Sequence, residues 1–329
     1  MTNPAPTRCA TEGEHRLMTD TTIQPYTPPS TSTDRYPSRR SDQPSIGNRL
    51  DPVVYGRADS GPLSESQLHF FEDNGYLSME QVFSEAELSS YMQELQRLRN
   101  DEHTKDTAEA VIEPESRELR SVFAVHRSSE VLRALCGHPR LVAMARQLLG
   151  SGVYIHQSRI NYKSGFRGKE FFWHSDFETW HVEDGVPHMR MVSCSISLTP
   201  NTEHNGPLML MPGSHQRFVS CVGETPANHY KASLKRQEVG VPDDASLTQL
   251  AHECGITSPK GPAGSVTFFD CNTMHGSNSN ITPMPRSNVF VVYNSVENTP
   301  VAPFCGLAPR PNFIAEREDF TPLALPGEL

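Results

Sequence analysis

The order of hydrophobic and polar positions divides the chain into a tail, a helical region and a region of short strands. Residues 1–48 are dense in Thr, Ser and Pro and show neither a helical nor a strand period. Such a composition buries too little apolar surface to offset the entropy lost on ordering. We therefore predict a disordered tail over residues 1–48 and one folded domain over residues 49–329. Met18 lies inside this tail and is an alternative start to Met1.

Helical signals come first in the predicted domain. The segments 64–67 and 84–87 both read Ser-x-x-Gln/Glu, the form of a capping box. Apolar side chains then recur on one helical face: Leu88, Tyr91, Met92, Leu95 and Leu98. A further helix is predicted over residues 139–149, with Pro139 at its start and Gly150 just beyond its end.

From Val153 onward the hydrophobic period changes to two. The predicted strands are short runs separated by Gly, Pro and Asn: 153–163, 189–198, 208–211, 265–269 and 289–293. Helices followed by many short strands are typical of a β-sandwich or jelly roll with helices packed outside.

Composition narrows the classes of function. The chain has 29 basic and 39 acidic residues and a net charge of −10, so it has no broad positive field for nucleic acid. No apolar run is long enough to span a membrane, and the N-terminus does not read as a signal peptide. The seven cysteines include no Cys-x-x-Cys pair and read as free thiols of a reducing compartment. We expect a cytoplasmic protein that binds neither nucleic acid nor membrane.

The strongest chemical signal is the segment 171–181, FFWHSDFETWH. If the chain is extended from His174 to Asp176, the imidazole and the carboxylate project to the same side. His275, about a hundred residues later, would complete the two-histidine, one-carboxylate triad of non-haem iron(II) oxygenases. A catalytic zinc ion accepts the same three ligands.

Arg286 makes the iron interpretation more specific. It stands eleven residues after His275, at the start of the next predicted strand. Its planar cation suits a carboxylate, and a 2-oxo acid that chelates iron needs such an anchor at its far end. The hydroxyl of Ser277 can add a second contact to that carboxylate. On the strand 153–163, alternation places four polar side chains on one face: Gln157, Arg159, Asn161 and Lys163.

The segment 172–187 resembles the diagnostic segment of the ectoine hydroxylases, a branch of the phytanoyl-CoA dioxygenase superfamily. The likeness extends over most of the chain, through the motifs at residues 34–38, 205–208, 212–215, 275–283 and 309–311. It implies a mainly β protein with flanking helices around a double-stranded β-helix, the jelly roll of the cupins. It also implies Fe(II), 2-oxoglutarate and O2 as requirements, hydroxylation of ectoine to 5-hydroxyectoine with release of succinate and CO2, and a homodimer.

The resemblance also implies roles for individual residues. His174, Asp176 and His275 would hold iron and carry the catalysis. The 2-oxoglutarate contacts would be Arg286, Ser277, Asn161 and Ser193. The ectoine contacts would be Gln157, Thr179, Trp180, Phe269, Phe290 and Arg310, with Arg310 pairing with the substrate carboxylate and the two phenylalanines forming apolar walls.

Two other functions fit the same residues. One is a related hydroxylase of another small acid or amino acid. The other is a jelly-roll protein that binds a metal or solute without turnover, although such a protein needs neither open metal positions nor an anchor for a 2-oxo acid. We expect the acidic residues Glu178, Glu183 and Asp184 in a solvated loop; the alternative is that one of them orients a ligand histidine.

Overall fold

A computed structural model describes residues 33–113, 118–234 and 238–328. Its strands are β1 (Ser45–Asn48), β2 (Tyr76–Met79), β3 (Ala110–Ile112), β4 (Leu119–Phe123), β5 (Val153–Lys163), β6 (Phe171–His174), β7 (Met191–Ser197), β8 (Leu208–Leu210), β9 (Arg217–Ser220), β10 (Val266–Asp270), β11 (His275–Ser277) and β12 (Arg286–Ser295). Its helices are α1 (Glu65–Asn74), α2 (Glu85–Asn100), α3 (Glu102–Lys105), α4 (Val125–Ser128), α5 (Glu130–Cys136), α6 (Pro139–Leu149), α7 (Asp176–Asp184), α8 (Tyr230–Ser233) and α9 (Asp244–Cys254).

Two antiparallel sheets form the centre of the fold. The larger has seven strands in the order β2-β10-β7-β12-β5-β4-β3, and the smaller has three in the order β6-β11-β8. A separate pair joins β1 to β9. The mainly β class with flanking helices and a jelly-roll core is therefore confirmed.

The local signals set the helix boundaries. Ser64 and Ser84 each close a capping box at the start of α1 and α2, and α6 spans residues 139–149 as predicted. Helix α2 buries Tyr91, Leu95 and Leu98, whereas Met92 lies at the edge of that face and is exposed. No described helix is both long and apolar enough to cross a bilayer.

The large sheet presents different chemistry on its two faces. On the outer face, alternate strand residues such as Ile160, Val289 and Val291 join the main hydrophobic core, into which α6 also packs. On the inner face, β5 carries Gln157 and Arg159 toward a cavity between the sheets. The strand period of two thus places a polar surface on the inner face of the large sheet, toward the cavity.

The predicted disordered tail is wrong for residues 33–48. Tyr36 is 2 % exposed and Arg39 4 %, and β1 pairs in register with β9. The error arises because this segment acquires its apolar and charged partners from distant parts of the chain, which composition does not reveal. Residues 1–32, including Met18, lie outside the described residues.

Candidate active site

Three side chains converge at the junction of the two sheets. His174 ends β6 and His275 begins β11, and these residues stand directly opposite each other in the antiparallel pair. Asp176 follows as the first residue of α7. Its carboxylate oxygens lie 3.6 Å from His174 Nε2 and 3.8 Å from His275 Nε2. The three ligand atoms lie within 4.8 Å of one another, which fits one metal ion.

The expected extension from His174 to Asp176 holds only as far as Ser175. Ser175 has extended backbone angles, and the helix starts at the next residue. This change of direction brings the carboxylate to the two imidazoles and sends the rest of α7 along the cavity. Residues 179 and 180 consequently lie one turn beyond the metal ligand.

Both histidines have their Nδ1 atoms engaged by the backbone. His174 Nδ1 lies 2.7 Å from the Phe172 carbonyl, and His275 Nδ1 lies 2.9 Å from the Thr273 carbonyl. A carbonyl only accepts, so each Nδ1 donates and each Nε2 retains the lone pair that binds metal. Ser193 Oγ donates to Asp176 Oδ2 at 3.3 Å. Ser193, expected at 2-oxoglutarate, thus supports the carboxylate ligand in this structure.

The protonation states also suit a cation. Burial and the nearby His174 lower the pKa of His275 to about 4, so its imidazole is neutral at neutral pH. Burial alone would raise the pKa of Asp176, but His275, His174 and Arg159 together hold it below its ordinary value. A neutral imidazole and an ionised carboxylate are the forms that ligate metals. The donor set therefore fits Fe(II).

Two buried basic side chains stand side by side at the ends of β5 and β12. Lys163 pairs across the strands with Arg286, and their residues are 2 % and 3 % exposed. Lys163 Nζ donates to Ser277 Oγ at 2.8 Å and to the Asn278 carbonyl at 2.5 Å. Arg286 Nη1 is buried with no hydrogen-bond partner among the described residues. This arrangement is complementary to a carboxylate.

A third basic side chain lies nearer the triad. Arg159 lines the cavity between the rings of Phe123 and Phe290, and burial lowers its pKa. The next row of the same face holds Asn161, whose Oδ1 accepts a hydrogen bond from Ser121 at 2.7 Å. Arg159 and Lys163 received no role from the sequence, although the alternation along β5 already placed them beside Gln157 and Asn161. That alternation was the signal that identified this face.

The cavity has a volume of about 860 Å³. It brings together two metal ligands and four of the predicted substrate residues: His174, Asp176, Gln157, Thr179, Trp180 and Arg310. Gln157 Nε2 donates to the Ile314 carbonyl at 2.7 Å, which fixes its amide in the wall. Phe269 packs on the ring of His275 at 4.9 Å and joins a cluster with Phe290 behind the metal site.

The expectation that Glu178, Glu183 and Asp184 lie in a solvated loop is wrong. Helix α7 buries Glu178, Glu183 and Asp184, all at most 4 % exposed. Arg310 holds Asp184 through two hydrogen bonds, one of them 2.8 Å from Nε to Oδ1. Arg310 thus reaches the cavity wall with part of its guanidinium already committed to a carboxylate of this chain.

Residues 71–288 match the family model for phytanoyl-CoA dioxygenase (PhyH). The chain belongs to the phytanoyl-CoA dioxygenase family. The ectoine dioxygenase of Stutzerimonas stutzeri is 55 % identical to it over 292 residues, which cover 88 % of this chain and 96 % of that protein.

Solved structures within the phytanoyl-CoA dioxygenase family agree. EctD from S. alaskensis with 2-oxoglutarate and 5-hydroxyectoine has a TM-score of 0.81 and 46 % identity, covering 89 % of this chain and 98 % of that one. The same enzyme with bound Fe has a TM-score of 0.80 at the same identity and coverage.

Proposed function

We propose that this protein is an Fe(II)- and 2-oxoglutarate-dependent dioxygenase that hydroxylates ectoine to 5-hydroxyectoine. The reaction consumes O2 and releases succinate and CO2. The observation that carries the proposal is the two-histidine, one-carboxylate triad, two of whose members, His174 and Asp176, line one cavity together with Arg159, Trp180 and Arg310. The ectoine dioxygenases at about half identity or more supply the name of the substrate.

His174, Asp176 and His275 would hold Fe(II) and leave coordination positions for the co-substrates. When bound, the iron with 2-oxoglutarate supplies the oxidising chemistry that converts a C–H bond to a C–OH bond. The carbonyls of Phe172 and Thr273 fix the two imidazole rings, and Ser193 restrains the carboxylate. These contacts keep the three ligands in one geometry before any metal binds.

Arg286 and Ser277 would receive the distal carboxylate of 2-oxoglutarate, with Lys163 beside them. Asn161 and Ser193, on the same inner surface, are the further polar contacts that we propose. Arg286 Nη1, which has no hydrogen-bond partner among the described residues, supports this role, since burying a guanidinium N–H without an acceptor is costly.

Ectoine would lie in the cavity against the wall formed by α7 and β5. It is a small zwitterion with a delocalised amidinium and a carboxylate, so the indole of Trp180 suits its cation and Arg310 its anion. Gln157 and Thr179 add polar contacts, and Phe269 and Phe290 give the apolar floor on the sheet side. Their function is to hold the target carbon near the iron and to exclude water.

Aerobic turnover distinguishes this proposal from the alternatives. Purified protein is incubated with Fe(II), ascorbate and 2-oxoglutarate, separately with ectoine, proline and other small cyclic acids. We expect succinate and a one-oxygen mass gain to appear together with ectoine. A higher kcat/KM on another acid would favour a related hydroxylase, and absence of succinate with every substrate would favour a binding protein. Replacing Fe(II) with Zn(II) should give no succinate.

We also propose a single dioxygenase domain, a cytoplasmic location and a homodimer. The described free cysteines include four that are buried, Cys136, Cys194, Cys221 and Cys271, which suits a reducing compartment. Sedimentation analysis at several protein concentrations tests the homodimer, and a monomer at every concentration would contradict it.

A further inference from the structure

Helix α7 is unusual because it is both acidic and buried. It begins with the metal ligand Asp176 and carries the cavity residues Thr179 and Trp180. Glu178 precedes Thr179 and Glu183 follows Trp180 on the same helix, and these glutamates are 2 % and 4 % exposed. Buried carboxylates persist only when they are paired and hydrogen-bonded. The position of this helix therefore depends on whatever neutralises these two groups.

A residue from the N-terminal segment supplies that neutralisation. Arg39 donates from Nε and Nη2 to the two oxygens of Glu178, at 2.9 and 2.6 Å. Its Nη1 donates to Glu183 Oε1 at 2.6 Å, and its Nη2 also lies 3.3 Å from Thr179 Oγ1. One guanidinium thus bridges both acids and touches a proposed substrate contact. Its side chain is 1 % exposed.

The residues on either side of Arg39 follow the same helix. Ser38 Oγ donates to Glu178 Oε1 at 2.7 Å, and the ring of Tyr36 packs edge-on against Phe177. Asp34 Oδ1 lies 3.0 Å from His181 Nε2. The segment 34–39 therefore lies along α7, and Arg39 is its most fully bonded contact.

The contacts of Arg39 lead directly into the cavity. Glu183 is itself a lining residue, and its Oε1 also lies 3.1 Å from Nδ1 of His229, another lining residue. Beyond Glu183, Arg310 holds Asp184 at the end of the helix. Arg39 therefore holds α7 at Glu178 and Glu183, and Arg310 holds it at Asp184. Thr179 and Trp180, which face the cavity, lie between the two glutamates that Arg39 binds.

We propose that Arg39 is a positioning residue of the reaction, which holds α7 through Glu178 and Glu183 and so sets Thr179 and Trp180 for ectoine. The inference rests on the proposed function for the identity of the substrate. Arg39 does not touch the reacting atoms. Its effect is on how well the substrate carbon is aimed, so its loss lowers ectoine affinity and uncouples 2-oxoglutarate consumption from hydroxylation.

The test compares Arg39→Met and Arg39→Lys with the wild type and with Arg35→Met. Arg35 lies in the same segment, but its ion pair is with Asp51 and not with α7, which makes it a matched control. For Arg39→Met we expect the KM for ectoine to rise at least tenfold and the ratio of 5-hydroxyectoine to succinate to fall at least threefold. The KM for 2-oxoglutarate should change by less than threefold.

Arg39→Lys keeps the positive charge but not the planar guanidinium that bridges Glu178 and Glu183. Its ratio of 5-hydroxyectoine to succinate should therefore lie between those of Arg39→Met and the wild type. Arg35→Met should keep wild-type coupling. Equal increases in the KM for ectoine and in the KM for 2-oxoglutarate would overturn the proposal in favour of a general structural role. Unchanged coupling in folded Arg39→Met would overturn it as well. If Arg39→Met does not fold, Arg39→Lys and Ser38→Ala carry the same comparison.

A second readout does not depend on turnover. The chain has two tryptophans, so Trp173→Phe leaves Trp180 as the single reporter. In that background Arg39→Met should shift the emission of Trp180 to longer wavelength and increase its quenching by acrylamide. Unchanged emission and quenching would overturn the proposal. Failure of the wild type to hydroxylate ectoine would instead refute the proposed function, and the emission of Trp180 would still decide the role of Arg39.

Discussion

Replacement of Lys163 by methionine should stabilise the protein without ligands while weakening its affinity for 2-oxoglutarate. Burial, followed by the charges of Arg286 and Arg120, lowers the pKa of Lys163 from 10.5 to about 6. At pH 7.5 the folded protein therefore holds a neutral lysine, whereas the unfolded chain holds a charged one. Burial of Lys163 beside Arg286 therefore lowers the stability of the protein when no carboxylate is bound there.

The magnitude follows from the pKa values. A pH of 7.5 lies about three units below the pKa of the lysine in the unfolded chain. At roughly 1.4 kcal/mol per unit, holding Lys163 neutral in the folded protein costs about 4 kcal/mol of stability. The two hydrogen bonds to Ser277 and Asn278 return about 1 kcal/mol each. Lys163→Met should therefore raise the free energy of unfolding by about 2 kcal/mol.

The sign with pH is fixed by the same shift. The unfolded chain binds more protons than the folded protein between pH 6 and pH 10, so the Lys163 contribution makes the wild type more stable as pH rises through this range. This pH dependence is measured by urea unfolding at pH 6.5, 7.5 and 8.5. The metal-free proteins compared are the wild type, Lys163→Met and the exposed control Lys260→Met. The advantage of Lys163→Met should shrink with rising pH, and Lys260→Met should follow the wild type. Equal or lower stability of Lys163→Met at all three values would refute the reasoning.

Three further variants test other parts of the structure. Ser193→Ala removes a hydrogen bond to Asp176, so an equilibrium metal titration should show about tenfold weaker binding, and unchanged affinity would contradict the contact. His174→Ala should abolish metal binding, seen by elemental analysis, while the urea midpoint of the metal-free protein stays close to wild type; global unfolding would make the site structural. Ser84→Ala removes the cap of α2 and should cost about 1 kcal/mol of stability with turnover unchanged, whereas a loss of activity would connect that helix to the site.

Local patterns in the sequence predicted those regular elements whose signals come from neighbouring residues. Capping boxes and periodic apolar positions marked α1, α2 and α6, and alternation marked β5 and its polar face. The triad was also accessible, since the short spacing from His174 to Asp176 constrains those residues and strand context placed His275. What the sequence left open was the pairing of β6 with β11, which sets the two histidines opposite each other.

Two of the errors share one physical cause, which is pairing between residues far apart in the chain. Glu178 and Glu183 look like solvated acids because their counterion, Arg39, lies about 140 residues earlier. Residues 33–48 look disordered for the same reason, since Tyr36 and Arg39 find their partners on α7. Both segments are polar in composition and become buried only when they meet.

The most direct test of the central claim is turnover under ¹⁸O₂ in ordinary water. The purified protein, loaded with Fe(II) and supplied with 2-oxoglutarate and ectoine, should yield 5-hydroxyectoine and succinate in equal amounts. Mass spectrometry should show one ¹⁸O incorporated into succinate and ¹⁸O from the gas in the new hydroxyl group. Succinate without hydroxylated ectoine, or products free of ¹⁸O, would contradict the assignment of an ectoine dioxygenase.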